Sequence, residues 1–292
     1  MGIVVTVMNM KGGVGKTTTA VHLASIAARY SLGGKPGRRV LAIDYDPQFN
    51  LSQTLLDPKT YFAIEKARKT TLAVLSEDDV AINPYELAVP GNHNPPKVAS
   101  LVTRVYENKA TGGVLDLLPS TMDLMYIALG QATTQVKPIE ERFRKFIAEC
   151  RDKYDLIIID CHPAGSLFTK TSLKNSDHVL IPVVPKNYSV RGIGLMMAFI
   201  NAKKANETSP TPHILFNSTP RVGVASQETV IRNDKAYGPH CMVATLKWYQ
   251  AFADPDGGAG FVWNSTKPYS TQAFQNLIAV ATEFRQRVGL RP

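Results

Sequence analysis

Residues 9–19 read NMKGGVGKTTT, directly behind the apolar run Ile3–Met8 and ahead of a stretch with helical period. Glycines at 12, 13 and 15 let the backbone take positive φ and turn its N–H groups around an anion. In this spacing Lys16 reaches the β and γ phosphates of a nucleotide. Thr17, on the first turn of the following helix, offers a hydroxyl to Mg²⁺, while the helix N-terminus adds partial positive charge. Gly12, Gly13, Val14, Gly15, Lys16, Thr17 and Thr18 are therefore the candidate nucleotide-binding residues. Hydrolysing a γ-phosphate further requires charge neutralisation and an oriented water. Carboxylates suited to that work close two apolar runs: Asp44 and Asp46 follow Val40–Ile43, and Asp160 follows Leu156–Ile159. Such ends are where α/β sheets place ligands, and Asp160 is suited to hold Mg²⁺ through a water.

The ordinary phosphate loop, G-x-x-x-x-G-K-[ST], would carry glycine at position 10, where this chain has Met10 and, beside it, a second lysine, Lys11. Within one subunit Lys11 would crowd Lys16; across a dimer interface it can reach the other subunit's nucleotide. These residues resemble the deviant Walker A family, K-G-G-x-G-K-[ST], which includes the ParA and Soj partition ATPases, MinD and the nitrogenase iron protein. IDYDPQFN resembles the family's Walker A′ segment. LIIIDCHPAG resembles its Walker B strand with the following D-C-x-P, although His162 stands where proline is commoner. PVVPKNYSVRGIGLM resembles the next strand and helix, and FNSTPR the segment that helps hold adenine.

The resemblance covers most of the chain, least of all residues 77–113. It implies an ATPase that uses ATP and Mg²⁺, with Lys11 and Lys16 catalytic, Asp46 positioning the attacking water and Asp44 nearer the Mg²⁺ shell beside Thr17 and Asp160. Asn217 is then the base-binding candidate. It implies a homodimer closed by ATP, with Lys11 acting in trans, that binds DNA without sequence preference and is released on hydrolysis stimulated by a ParB-like centromere-binding partner. Arg221 and Lys247 match positions that contact DNA in the partition ATPases, and their local helical placement adds Arg232 and Lys235. Other readings share the loop. A MinD-like membrane switch needs a C-terminal amphipathic tail with a free apolar face, and the positioning of a cargo other than DNA shares every residue with partition. An iron–sulfur reductase needs bridging cysteines that this chain does not place, Cys161 being locked beside Asp160.

The formal net charge is +9, of which residues 184–292 carry +6 and residues 1–183 carry +3. A basic C-terminal third suits a polyanionic partner, and contacts of this kind are phosphate-directed and salt-dependent. Three dispersed cysteines form no C-x-x-C, so neither a disulfide framework nor a zinc site is expected. No leader or membrane span is expected either, and the setting read from these features is cytoplasmic and nucleoid-associated.

Around these residues, apolar runs alternate with helical periods: strands at 3–8, 40–43, 114–118, 156–159, 178–184 and 213–216, with a shorter one at 242–245. Helices are expected at 18–30, 71–75, 123–134, 138–153, 189–205 and 271–288. The pattern predicts an α/β fold with a doubly wound, mostly parallel sheet flanked by helices, the P-loop NTPase architecture of deviant Walker A type. Residues 1–292 read as one domain with an insertion at about 77–113, where prolines and weak periodicity interrupt the alternation. The last helix puts Phe274, Leu277, Ile278, Ala281, Phe284 and Val288 on one stripe, expected to pack on the sheet.

Overall fold

A computed structural model of the chain describes residues 1–30, 37–76, 94–129, 133–162, 167–202, 209–253 and 255–290. Seven strands, β1 (Ile3–Val7), β2 (Arg39–Tyr45), β3 (Thr103–Asn108), β4 (Gly113–Leu118), β5 (Leu156–Cys161), β6 (His178–Val183) and β7 (Thr211–Phe216), form one sheet in the order β3-β4-β2-β5-β1-β6-β7. All neighbours are parallel except β3, which runs antiparallel to β4. The expected doubly wound α/β fold is thus the observed one.

Near-continuous apolar strands are what a sheet covered on both faces requires. Successive residues feed opposite cores: Leu41 and Ile43 join one with Ile157 and Ile159, while Val40 and Ala42 join the other with Ile158. The first core is closed by helices that include Thr133–Lys153 and Ser189–Asn201, the second by Lys16–Arg29 and Ser270–Arg287. In the last of these, Leu277, Ala281, Phe284 and Val288 are buried, and Phe274 and Ile278 pack partly buried on the same core. Its apolar stripe is therefore occupied, as expected of a helix lying on the sheet.

Three segments depart from the sequence reading. Residues 94–113 of the expected insertion contribute the short helix Val98–Leu101 and edge strand β3, so that part belongs to the sheet; residues 77–93 lie outside the described residues. Helices at Asn50–Leu55 and Pro58–Lys66 were not expected. No strand occupies 242–245: Met242 N donates to Ile214 O (2.8 Å) and Leu246 N to Phe216 O (2.9 Å), but between them the N–H groups of Val243 and Ala244 turn to the Glu283 carboxylate (2.8 and 2.7 Å). A side chain from the last helix has taken the donors a ladder would need. The final residues of the helix expected over 189–205, and Pro163 to Gly165 of LIIIDCHPAG, also lie outside the described residues.

Candidate functional site

β1 delivers the chain into a loop that must reverse into helix Lys16–Arg29, and the reversal uses left-handed backbone at Gly13 (φ 70°) and Gly15 (φ 83°, ψ 35°). Gly15 is the N-cap, yet no side chain caps the helix and its first turn holds no acidic residue. The first intrahelical bond runs from Thr19 N to Gly15 O (2.9 Å), so the N–H groups of Lys16, Thr17 and Thr18 precede it. A Cβ at Gly12 or Gly13 would meet nothing within 4 Å. An open, uncapped N-terminus with glycines before it is an anion cradle.

Two asparagines grip this loop from the sheet. Asn9 is buried; its Nδ2 donates to Pro182 O on β6 (2.7 Å) and its Oδ1 accepts from Lys11 N (3.0 Å). Asn217, just past β7, donates from Nδ2 to Val14 O (2.8 Å) and accepts at Oδ1 from Ser218 N (2.8 Å). Each end of the Asn217 amide, expected to help hold the base, thus has a partner within the chain, one of them in the phosphate loop. Lys11 itself is exposed at the rim, and Val14 is buried.

The parallel register sets Asp160 beside both Val7 and Asp44, behind the loop. Its carboxyl is 2% exposed and hydrogen-bonded to the Thr17 side chain; burial pushes it up to about 7, the Thr17 bond and the Lys16 charge pull it down, and the Asp46 charge adds to the rise. A buried carboxyl paired with a threonine hydroxyl and facing an anion cradle is a donor set that fits a hard divalent cation. Among the described residues no group of three or more His, Cys, Asp or Glu is arranged to hold a metal. Mg²⁺ here would take Thr17, Asp160 and phosphate oxygens, and it would supply charge neutralisation for the transferred phosphoryl group.

Asp44, expected nearer the Mg²⁺ shell, is held by the chain's own groups. It is fully buried, its Oδ2 accepts from both Ser52 N (2.8 Å) and Ser52 Oγ (2.6 Å), and its Oδ1 accepts from Asp46 N (3.3 Å). Burial, reinforced by the Asp160 charge, holds its carboxyl well above the usual range. Ser52 Oγ in turn accepts from Ser120 N (2.9 Å), and Ser120 Oγ donates to Asp46 O (2.7 Å). Asp44 thus anchors a chain of bonds that ends on the backbone of Asp46, whose own Oδ1 accepts from Gln48 N (2.9 Å). Asp46 stays half-exposed beside the cradle.

His162 gains a position the sequence could not show. Its N–H donates to Tyr45 O (3.3 Å), continuing the β2–β5 ladder one step and setting His162 opposite Asp46; its Nδ1 is buried with no hydrogen-bond partner among the described residues.

The four basic residues do not form one cluster. Arg221 is exposed with its guanidinium 4.5 Å over the Tyr269 ring, and Lys247 Nζ donates to Arg221 O (2.8 Å), next to Trp248, which is 60% exposed. Arg232 is corrected: its Nε donates to Glu228, NH1 to Met242 O (2.7 Å) and NH2 to Val243 O (3.2 Å), and it stacks on Phe216, so its charge is spent inside the fold. Lys235 is exposed but lies far from Arg221, because its neighbours Ala236 and Tyr237 line a cavity with Thr211 and Pro212 at the start of β7, whereas Arg221 follows that strand's end.

Residues 2–210 match the family model described as an AAA domain. The chain is 32% identical over 197 residues to the sporulation initiation inhibitor protein Soj of Bacillus subtilis, covering 68% of this chain and 64% of Soj. A further 29% identity over 202 residues relates it to a ParA family protein of Chlamydia pneumoniae, covering 69% of this chain and 66% of that one. The chain belongs to the ParA/Soj family of P-loop ATPases. Its fold matches a putative plasmid partition protein of Borrelia burgdorferi B31 bound to AMPPNP, with TM-score 0.70 at 18% identity over 97% of this chain and 100% of that one. It also matches pnob8 ParA, with TM-score 0.69 at 18% identity over 99% of each chain.

Proposed function

We propose that this ParA/Soj family member is a partition ATPase, an ATP-dependent switch that acts on DNA as a homodimer. The observation that carries the reading is the meeting of Thr17 with the buried Asp160 carboxyl behind a glycine loop in left-handed conformation. ATP would lie with its phosphates over Gly12–Thr18, the loop N–H groups and Lys16 neutralising charge that grows on the γ-phosphoryl oxygens. Asp46, held by the Asp44–Ser52–Ser120 chain, orients the attacking water. Lys11, exposed at the rim, reaches the partner's nucleotide, so ATP closes the dimer.

Duplex is bound without sequence preference through Arg221 and Lys247, and a ParB-like partner stimulates otherwise slow hydrolysis. One subunit offers few phosphate contacts; a dimer doubles them, which makes DNA affinity depend on ATP. The MinD-like alternative receives no support from the last helix, whose apolar face is covered, and among the described residues no helix is long and apolar enough to cross a membrane. Positioning of a non-DNA cargo shares every residue and differs only in the partner. The test is a gel shift on unspecific duplex with ATP, ADP or no nucleotide across a salt series. Tighter binding with ATP supports the switch; equal affinity in the three states refutes it.

A further inference from the structure

We propose that Asn217 is a positioning residue of the phosphate loop, holding the Val14–Gly15 peptide with its N–H turned toward the nucleotide phosphates. The inference rests on the nucleotide reading above.

The amide of Asn217 has one donor end and one acceptor end, and the fold uses both. Ser218 N–H needs an acceptor, which Oδ1 supplies at 2.8 Å; Val14 C=O needs a donor, which Nδ2 supplies at 2.8 Å. This pairing fixes which way the amide faces. Asn217 is 7% exposed, and its own N–H donates to Val183 O (2.8 Å) at the end of β6, so the side chain is carried on the sheet and does not swing with a loop.

A trans peptide is planar, and its C=O and N–H point to opposite sides. Fixing Val14 O on Asn217 therefore turns Gly15 N–H away from β7, toward the concave side of the loop from which the helix at Lys16 departs. Free to rotate, the same peptide could present its carbonyl to the phosphates, where it would repel them. The seat is also sterically particular. A Cβ on Gly15 would lie 2.1 Å from Asn217 Nδ2, so the amide fits only because position 15 has no side chain. Asn9 performs the complementary task on the other flank, drawing Lys11 N–H out of the cradle onto its Oδ1 at 3.0 Å.

The test separates loop positioning from base recognition by using a ligand without a base. Competition against a fluorescent ATP analogue is measured for ATP and for inorganic tripolyphosphate, both with Mg²⁺, on wild-type protein, Asn217→Ala and the near-isosteric Asn217→Leu, with melting curves as a folding check. Loss of one charge-assisted N–H···O bond is expected to weaken both ligands by the same factor, about tenfold. Weakened ATP with unchanged tripolyphosphate would assign Asn217 to the base and overturn the inference, as would unchanged affinity for both. A wild-type chain that binds neither ligand overturns the nucleotide reading and this inference with it. If the variants fail to fold, selective ¹⁵N-glycine labelling of the wild type decides: the Gly15 amide proton should move downfield on adding tripolyphosphate, and a Gly15 resonance that does not move refutes the assignment.

Discussion

Replacing Gly15 by alanine should be costly for two separable reasons, and the structure says which part Asn217 causes. At φ 83° and ψ 35° an alanine sits in the left-handed region, which costs about 1–2 kcal/mol. Its Cβ would also press to 2.1 Å from Asn217 Nδ2, so the amide must leave Val14 O. A lost hydrogen bond that strands a buried acceptor adds about 1–2 kcal/mol. Gly15→Ala should therefore destabilise the wild-type fold by about 2–4 kcal/mol. With Asn217 cut back to alanine the obstruction is gone, since the next atom outside Asn217 is Thr18 Cβ at 4.0 Å. In the Asn217→Ala background Gly15→Ala should then cost only about 1–2 kcal/mol, the backbone part. The effect of alanine on unfolded-chain entropy is the same in both backgrounds and cancels in the cycle. Urea denaturation of the four proteins, read as midpoint and slope, measures the coupling, expected at about 1–2 kcal/mol. Additive costs, equal within about 0.5 kcal/mol, would refute the claim that Gly15 and Asn217 form one fitted unit.

Asp46→Ala should retain ATP binding and ATP-driven dimerisation on a sizing column while losing turnover, because a water-orienting group acts in the transition state; normal hydrolysis would assign the role elsewhere. Arg221→Ala should leave stability unchanged and flatten the log–log salt dependence of DNA binding by about 2 per dimer, whereas Arg232→Ala, which strands the buried Glu228 and two carbonyls, should lower stability by about 2–4 kcal/mol; the reverse pattern would return Arg232 to the DNA face. Buried His22, whose Nε2 bonds Phe252 O at 3.0 Å, is held neutral by burial, its pKa lowered from 6.5 to about 4. The unfolded chain takes up this proton below pH 6.5 while the fold resists until about 4. Stability is lost as pH falls through that window, by about 3 kcal/mol from this group alone, so urea midpoints of His22→Asn should fall less steeply than wild type between pH 7 and 4.5. Parallel curves would show that His22 does not set the slope.

What was legible in the sequence was local or periodic. A phosphate loop is one contiguous run, and its chemistry needs only the residue types at fixed spacing. Buried parallel strands such as Leu156–Cys161 declare themselves because both faces demand apolar side chains. β3 did not, since an edge strand with Arg104, Glu107 and Asn108 meets core on little of its surface and reads as loop. How the two acidic residues are held was not legible for a related reason. Asp44 and Asp46 look equivalent in IDYDPQFN, and only the arrival of Ser52 under β2 turns one into a buried anchor and leaves the other beside the cradle.

Arg232 and Asn217 are held by pairings that residue type cannot encode. Arg232 reads as a surface cation until the carbonyls of Met242 and Val243 are brought to it by a segment whose own N–H groups Glu283 has taken from a ladder. Asn217 lies 203 positions from the carbonyl it binds, a distance over which no sequence period operates. Yet this long-range bond is what makes the local motif work. Glycine supplies the freedom to turn a peptide either way; a partner from β7 removes that freedom in the one sense useful to an anion. The permissiveness written in the loop and the constraint written at the end of β7 are therefore two halves of one device. That is why a side chain at position 15 collides with the Asn217 amide, while among the described residues a Cβ at Gly12 or Gly13 would meet nothing within 4 Å.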